Sequence, residues 1–239
     1  MAKRPLPPVA DDFNGVIAFF KSRGIVPAAP AAELLASAKR LHRATYSLIL
    51  WRFRLKSLPE HGQVFIEEIA SDALQILPQA LMGYGKTTKL LTRGVIENTL
   101  RHLYFADHPV EFARMNREKK YFLAIDELLE YLPSHWDFLE TEPKFDAINR
   151  LNSLYSELSA GVHGRKVQDL EMRVALNKIS FTQPAFEDHV AMVERCAEAS
   201  NFLLATFHKE QVRSFQREDR QILLGTMCPQ ARQVWTGLS

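Results

Sequence analysis

The sequence predicts an all-α protein built as a single bundle of about seven helices, and three observations support this fold class. Apolar residues recur at spacings of three and four along most of the 239 residues, which places them on one face of successive helices. Proline and glycine residues fall mainly at the ends of these segments. Only residues 179–181, with the sequence ISF, look extended, and no internal repeat divides the chain.

The apolar patterns give the predicted elements in order. Residues 1–30 are expected to form a partly irregular N-terminal extension, residues 31–215 the bundle, and residues 216–239 a short final helix with a tail. Within the bundle the predicted helices are residues 31–57, 60–81, 87–106, 110–132, 145–162, 166–178 and 184–215.

The positions of proline and glycine justify the ends of these helices. Pro59 separates the first two helices and Pro109 follows the third, because a proline inside a helix removes a backbone hydrogen bond and therefore favours the ends of helices. Gly164 is expected to end the fifth helix and Pro184 to open the last one.

The segment GYGKTT, residues 83–88, resembles the second half of a phosphate-binding loop. That loop also needs a glycine where this chain has Ala80, and a buried strand where residues 60–81 read as a helix. We therefore interpret the two glycines as an interhelical turn, in which Thr87 or Thr88 caps the following helix.

Composition indicates an ordinary globular protein of the cytoplasm. Hydrophobic residues make up 46% of the chain and charged residues 24%. The two cysteines, Cys196 and Cys228, form no metal-binding or disulfide pattern, and the eight histidines are scattered, so neither a metal nor a cofactor is expected. The N-terminus lacks the apolar run of a signal peptide, and no stretch has the apolar length of a membrane span.

Basic residues are concentrated near the N-terminus, although the net charge is only +2. Residues 39–56 contain no acidic residue and six basic ones, namely Lys39, Arg40, Arg43, Arg52, Arg54 and Lys56. Such a segment could follow the phosphates of RNA, or it could be a solvated helix face or a contact with an acidic partner. The sequence leaves these alternatives open, with Arg52, Arg54 and Lys56 as candidate substrate-binding residues.

Two short segments hold the strongest candidates for a functional site. In residues 93–105, Arg93, Glu97 and Arg101 are four residues apart and share one helix face. In residues 154–165, the side chains of Tyr155, Ser159 and His163 have the same spacing, ahead of Gly164. Charged and titratable groups on otherwise apolar helices are costly to bury unless they are paired. They therefore form either a buried polar lock or an active site.

At these residues the chain resembles the HEPN superfamily, the all-helical domains of many prokaryotic toxins and defence proteins. One helix carries Arg-x-x-x-Glu followed by an aromatic run, here Leu103-Tyr104-Phe105, and a later helix carries Tyr-x-x-x-Ser-x-x-x-His-Gly. The resemblance covers about residues 87–165. The chain departs from the Arg–His motif of catalytic members, since Arg54…His61 contains Pro59 and Arg101…His108 runs into a loop.

The resemblance implies a metal-independent endoribonuclease of a toxin or anti-phage system, acting as a dimer or within a defence complex. In that mechanism His163 would exchange a proton with the RNA 2′-hydroxyl or the leaving oxygen. Arg93 or Arg101 would stabilise the phosphorane, and Glu97 would orient an arginine. Ser159, Tyr155 and Tyr104 complete the predicted site. The alternative is a catalytically silent HEPN-like subunit that binds a partner protein or a nucleic acid.

Overall fold

The computed structural model describes residues 8–139, 141–163 and 179–236, and this part of the chain is helical without any β-strand. Its helices are α1 (Val9–Ser22), α2 (Ala32–Arg54), α3 (Glu60–Leu81), α4 (Gly85–Asp107), α5 (Pro109–Arg117), α6 (Ile125–Tyr131), α7 (Glu142–Phe145), α8 (Ala147–His163), α9 (Gln183–Phe207), α10 (Lys209–Arg213), α11 (Arg217–Thr226) and α12 (Pro229–Thr236). The predicted all-α bundle is confirmed. None of the described helices combines the length and apolar character needed to cross a membrane.

The core lies between the long helices α2, α3, α4 and α9, with α8 packed against α4 and α9. A buried hydrogen-bond network links three helices through this core. The indole Nε1 of Trp51 donates to Asn201 Oδ1 at 2.8 Å, and Asn201 Nδ2 donates to the hydroxyls of Ser47 at 2.7 Å and Thr226 at 2.9 Å. Because the Asn201 amide and the Trp51 indole are paired, burying them carries no unsatisfied donor.

Helices α4 and α9 run parallel to each other. Near the start of α4, the Cys196 thiol of α9 lies 3.8 Å from the Thr92 carbonyl oxygen. Near its end, His102 meets His208, which directly follows α9. The later residue of α4 therefore contacts the later residue of the α9 region, which shows that the two helices point in the same direction.

Helix α8 runs antiparallel to α9, and therefore antiparallel to α4. Arg150 early in α8 reaches Glu198, whereas Glu157 later in α8 pairs with Arg195, which comes earlier in α9. This direction decides which residues of α8 can meet the candidate residues of α4.

The predicted N-terminal extension contains one helix. Residues 9–22 form α1, which buries Phe13, Ile17 and Phe20 against the bundle. The predicted extension is helical over residues 9–22, where an apolar stripe has helical spacing, and irregular over residues 23–31.

Two predicted helices are divided, so the bundle has more helices than the seven expected. The predicted helix 110–132 is broken between α5 and α6, where Phe122 is 79% exposed rather than part of an apolar stripe. The predicted helix 184–215 ends with α9, and α10 follows after His208. Residues 166–178 lie outside the described part of the chain.

The turn between α3 and α4 forms at the glycines, as predicted. Gly83 has φ +79°, and a Cβ there would lie 2.5 Å from the Ser180 carbonyl oxygen, so both the backbone conformation and the space require glycine. The predicted capping by Thr87 or Thr88 was wrong. Helix α4 begins at Gly85, and the Thr88 hydroxyl instead donates to the Tyr84 carbonyl one turn earlier.

Candidate functional site

The three charged residues predicted to share one face of α4 form ion pairs with one another. Arg93 Nε donates to Glu97 Oε1 at 2.9 Å, and Arg101 Nη2 lies 3.3 Å from Glu97 Oε2. The side chains of Arg93 and Glu97 are 18% and 19% exposed, and that of Arg101 is 32% exposed. Each carboxylate oxygen of Glu97 thus meets one guanidinium, as the spacing of four residues predicts.

Tyr155 of α8 joins this set from the neighbouring helix. Arg93 Nη2 donates to the Tyr155 hydroxyl at 2.8 Å, and that hydroxyl lies 3.3 Å from Glu97 Oε1. The Arg93 guanidinium also lies 4.9 Å from the centroid of the Tyr155 ring, a cation–π contact. We call Arg93, Glu97, Arg101 and Tyr155 the α4–α8 cluster.

Asp72 of α3 extends the cluster, and the sequence reasoning missed it. Arg101 Nη1 donates to Asn98 Oδ1 at 3.3 Å, and the Asn98 amide hydrogen-bonds the Asp72 carboxyl. Burial, followed by the negative charges of Glu68 and Glu97, raises the pKa of Asp72 to about 6. The available signal was Gly94, whose missing side chain leaves room for the Asp72 carboxylate against the α4 backbone.

Ser159 and His163 lie away from Arg101. Because α8 is antiparallel to α4, the chain from Tyr155 to His163 leads toward the start of α4, while Arg101 lies toward its end. From the helical rise, the backbones of Arg101 and His163 are about 24 Å apart along the helix axes. The Ser159 hydroxyl is buried and has no hydrogen-bond partner among the described residues. His163 is the last residue of α8, and its side chain lies outside the described part of the chain.

Tyr104 belongs to an aromatic cluster one to two turns beyond Glu97 and Arg101. Its ring stacks on the His108 ring at 4.1 Å between centroids and meets the Tyr131 ring edge-on at 5.1 Å. Burial raises the pKa of the Tyr104 hydroxyl, helped by the nearby carboxylates of Glu111 and Glu127. The phenol therefore stays protonated at neutral pH.

The basic segment 39–56 does not present one continuous row of free cations. Arg40 pairs with Glu187 and Glu194 of α9. Arg54 pairs with the buried Asp219 of α11 at 2.7 Å, so this candidate substrate-binding residue joins two helices.

The other two candidates in the segment, Arg52 and Lys56, are exposed. The Lys56 ammonium lies 4.9 Å from the centroid of the Phe53 ring. Lys39 and Arg43 are exposed as well, so these four basic side chains of the segment are accessible to a partner.

The two Arg…His pairs that have the spacing of catalytic HEPN motifs are not on one helix. Arg54 ends α2, whereas His61 lies in α3, on the far side of Pro59. Arg101 lies within α4, whereas His108 lies between α4 and α5, where its Nδ1 donates to the Tyr104 carbonyl at 2.7 Å. Neither pair directs its arginine and histidine into one site.

A buried histidine pair is a second feature that the sequence reasoning missed. His102 Nδ1 donates to the Gly62 carbonyl at 2.7 Å, so its Nε2 accepts a hydrogen bond from His208 Nε2 at 2.7 Å. Burial lowers the pKa of His102 to about 4 and lowers the pKa of His208 well below its ordinary value. Both rings are therefore neutral at pH 7, and they join the ends of α4 and α9.

Within the described ranges, no group of three or more histidine, cysteine, aspartate or glutamate side chains is arranged to hold a metal ion. Comparisons with protein-family models, with curated proteins and with solved structures found no match to this chain. The resemblance to the HEPN superfamily therefore stays a prediction made from the two motifs.

Proposed function

We propose that this protein is a catalytically silent, HEPN-like subunit of a prokaryotic toxin or anti-phage defence complex, and that it binds a partner protein. The observation that carries the silent assignment is the closure of the α4–α8 cluster. Both arginines bond Glu97, and Arg93 also bonds Tyr155 of the next helix. The toxin or defence context rests on the motif resemblance alone.

The bonds within the α4–α8 cluster favour a structural role, because they occupy N–H groups of the arginines that a substrate phosphate would need. A guanidinium that stabilises a phosphorane must direct free N–H groups at the phosphate. Here Arg93 directs Nε and Nη2 into the protein, at 2.9 Å and 2.8 Å. Breaking a partly buried set of this kind leaves an unpaired charge, which is more costly than losing an exposed ion pair.

An apolar groove between α1, α2 and α3 supports a protein as the partner. The groove has a volume of about 690 Å³, and it includes Phe19 at 53% and Leu74 at 68% exposure. The carboxylates of Asp11 and Asp12 also line it. Apolar surface bordered by acids complements an amphipathic helix with lysine or arginine along its edge, and we take the partner to present such a helix.

The silent assignment is tested with RNA in EDTA. We expect no cleavage by the wild-type protein, and a lower melting temperature for Glu97→Gln because two arginines lose their carboxylate. Glu157→Gln is the matched control, since the exposed Glu157–Arg195 pair on α8 should contribute little to stability. RNA cleavage that His163→Ala or Arg93→Lys abolishes without lowering the melting temperature would refute the assignment.

The groove is tested with a synthetic leucine–lysine amphipathic peptide and fluorescence anisotropy. We expect binding that Leu74→Glu abolishes and Leu90→Glu preserves, since Leu90 is an exposed leucine outside the groove. Equal binding by both variants would exclude the groove. A wild-type dimer in sedimentation that Leu74→Glu dissociates would instead assign the groove to a second copy of the chain.

A metal-independent endoribonuclease is the second candidate, and Asp72 is the observation that favours it. A carboxyl with a pKa of about 6 beside Asn98 and Glu97 can accept or donate a proton near neutral pH. In this case Arg101, the most exposed of the three ion-paired residues of the cluster, would contact phosphate. Cleavage in EDTA that Asp72→Asn abolishes, with products ending in a 2′,3′-cyclic phosphate, would favour this candidate over the silent subunit.

A further inference from the structure

A second cavity, remote from the α4–α8 cluster, lies where the C-terminal helices meet the loop after α6. It has a volume of about 670 Å³, within the usual range for small-molecule sites. Helix α11 lines it with one face, since Arg217, Arg220, Gln221 and Leu224 follow a helical spacing of three and four. The loop contributes Trp136, and α10, α12 and the end of α9 complete the wall.

The cavity wall carries four cations and two carboxylates, which leaves a net charge of +2. Lys209 lies 3.3 Å from Asp137 Oδ1, and Arg213 pairs with Glu210 at 2.7 Å. Across residues 8–139, 141–163 and 179–236, neither Arg217 nor Arg220 forms an ion pair. These two guanidinium groups remain able to bind an anion.

Two tryptophans give the cavity an aromatic wall. Trp235 is buried, whereas Trp136 is 67% exposed, which is unusual for so large an apolar ring. The Lys209 ammonium lies 4.9 Å from the centroid of the Trp136 ring. An exposed indole beside cations is a platform on which a planar ring can stack.

Thr206 is a buried residue of the cavity wall. Its side chain lines the cavity at only 2% exposure, and its Oγ1 has no hydrogen-bond partner among the described residues. A buried hydroxyl without a partner costs about 1–3 kcal/mol.

We propose that this cavity binds one nucleoside monophosphate unit, with the phosphate on Arg217 and Arg220 and the base against Trp136. Arginine offers a fork of N–H donors that fits phosphate oxygens, and indole stacks on purine or pyrimidine rings. This site goes beyond the proposed function, because a free nucleotide could fill it whether or not the protein binds a partner through its α1–α3 groove.

Isothermal titration calorimetry of the full chain with AMP, adenosine and inorganic phosphate tests the site. We expect AMP to bind more tightly than adenosine or inorganic phosphate. Adenosine lacks the phosphate that contacts the two arginines, and inorganic phosphate lacks the base that stacks on Trp136. The Arg217→Ala/Arg220→Ala variant should bind AMP at least about tenfold more weakly, the loss expected for hydrogen bonds to a charged group. Trp136→Ala should weaken AMP binding and leave phosphate binding unchanged.

Matched controls separate binding from folding. Arg23→Ala/Arg117→Ala removes two exposed arginines that lie outside the cavity, and it should leave AMP affinity unchanged. Absence of AMP binding by the wild type, or equal AMP affinity in the Arg217/Arg220 and control variants, would overturn the proposal.

A short RNA distinguishes the source of the nucleotide. A 5′-phosphorylated oligonucleotide that competes with AMP, when its 5′-hydroxyl form does not, would identify the occupant as a strand end. AMP binding that neither oligonucleotide affects would identify it as a free nucleotide. Both results support the site, and neither depends on RNA cleavage.

Discussion

At the scale of single residues, the hydroxyl of Tyr155 joins the α4 ion pairs to α8. It accepts a hydrogen bond from Arg93 and lies within reach of Glu97, while its ring makes a separate contact with the same guanidinium. The hydroxyl and the ring can therefore be tested separately. Asp72 and His102 also have displaced pKa values, and their titration changes stability with pH in opposite directions.

Tyr155→Phe removes the hydroxyl and keeps the ring. We expect the free energy of unfolding to fall by about 1–2 kcal/mol, because Arg93 loses a partly buried acceptor. Urea denaturation followed by circular dichroism measures the change. Tyr84→Phe, which removes the hydroxyl of an exposed tyrosine outside the cluster, is the control. An equal loss of stability in both variants would show that the hydrogen bond from Arg93 to Tyr155 does not stabilise the fold.

The buried His102 makes stability depend on pH. Its pKa is lowered from 6.5 to about 4, so between these values the unfolded state binds a proton that the folded state does not. The contribution of His102 to stability is therefore present above about pH 6.5 and is lost as the pH falls toward 4. Asp72 acts oppositely, because its raised pKa lets the folded state bind a proton between 3.8 and about 6.

These signs predict a difference between variants. Relative to wild type, His102→Asn should show a smaller decrease in the free energy of unfolding from pH 7 to pH 5, because it lacks the titrating ring. In the folded wild type, the partly buried Asp72 carboxyl is ionised at pH 8 and mostly protonated at pH 5. Asp72→Asn removes the cost of burying that charge, so it should raise the free energy of unfolding more at pH 8 than at pH 5. Urea denaturation at these pH values measures both, and parallel pH profiles for all three proteins would contradict them.

At the scale of elements, the contact between α3 and α4 depends on Gly94. Glycine in the middle of a helix costs roughly 1 kcal/mol relative to alanine. A Cβ at this position would collide with the Asp72 carboxylate, so α3 and α4 could not keep their present separation. Glycine at position 94 therefore lowers the helix propensity of α4, but it allows α3 to approach closely enough to bring Asp72 to the α4–α8 cluster.

Gly94→Ala should therefore destabilise the wild-type protein, by about 1–2 kcal/mol, although alanine is the better helix former. In an Asp72→Ala background the same substitution should be neutral or stabilising, because the carboxylate is gone. A double-mutant cycle from urea denaturation measures this coupling. Gly15→Ala is the control, since nothing lies within 4 Å of a Cβ there and the change should stabilise α1 in either background.

At the scale of the whole molecule, the ion pair between Arg54 and Asp219 docks α11 onto the end of α2. Asp219 is almost fully buried and Arg54 is partly buried, so this pair resembles the α4–α8 cluster in environment. The candidate nucleotide cavity depends on this docking, because Arg217 and Arg220 lie beside Asp219 on α11.

Arg54→Ala should therefore lower the free energy of unfolding by about 3 kcal/mol, because Asp219 is left buried without its partner. Arg52→Ala removes an exposed arginine from the same helix and should change stability by less than about 0.5 kcal/mol. Thermal or urea unfolding measures both. Similar small effects of the two substitutions would mean that Arg54 is free for substrate, as the sequence analysis proposed.

The sequence by itself determined the fold class, most helix positions and the pairing within α4. Helical periodicity and the four-residue spacing of Arg93, Glu97 and Arg101 are local properties, and a helix places such residues together whatever surrounds it. The turn at Gly83 was predictable for the same reason, since its positive φ is a property of a single residue.

Only the tertiary structure decided which residues meet across helices. The antiparallel direction of α8 brings Tyr155 to Arg93 and carries His163 away from Arg101, and no pattern within either helix specifies that direction. The approach of Asp72 to Gly94 and the gathering of distant cations around Trp136 are likewise contacts between elements. Such contacts follow from how the apolar faces pack, because burial of those faces, rather than the polar groups themselves, sets the arrangement of the helices.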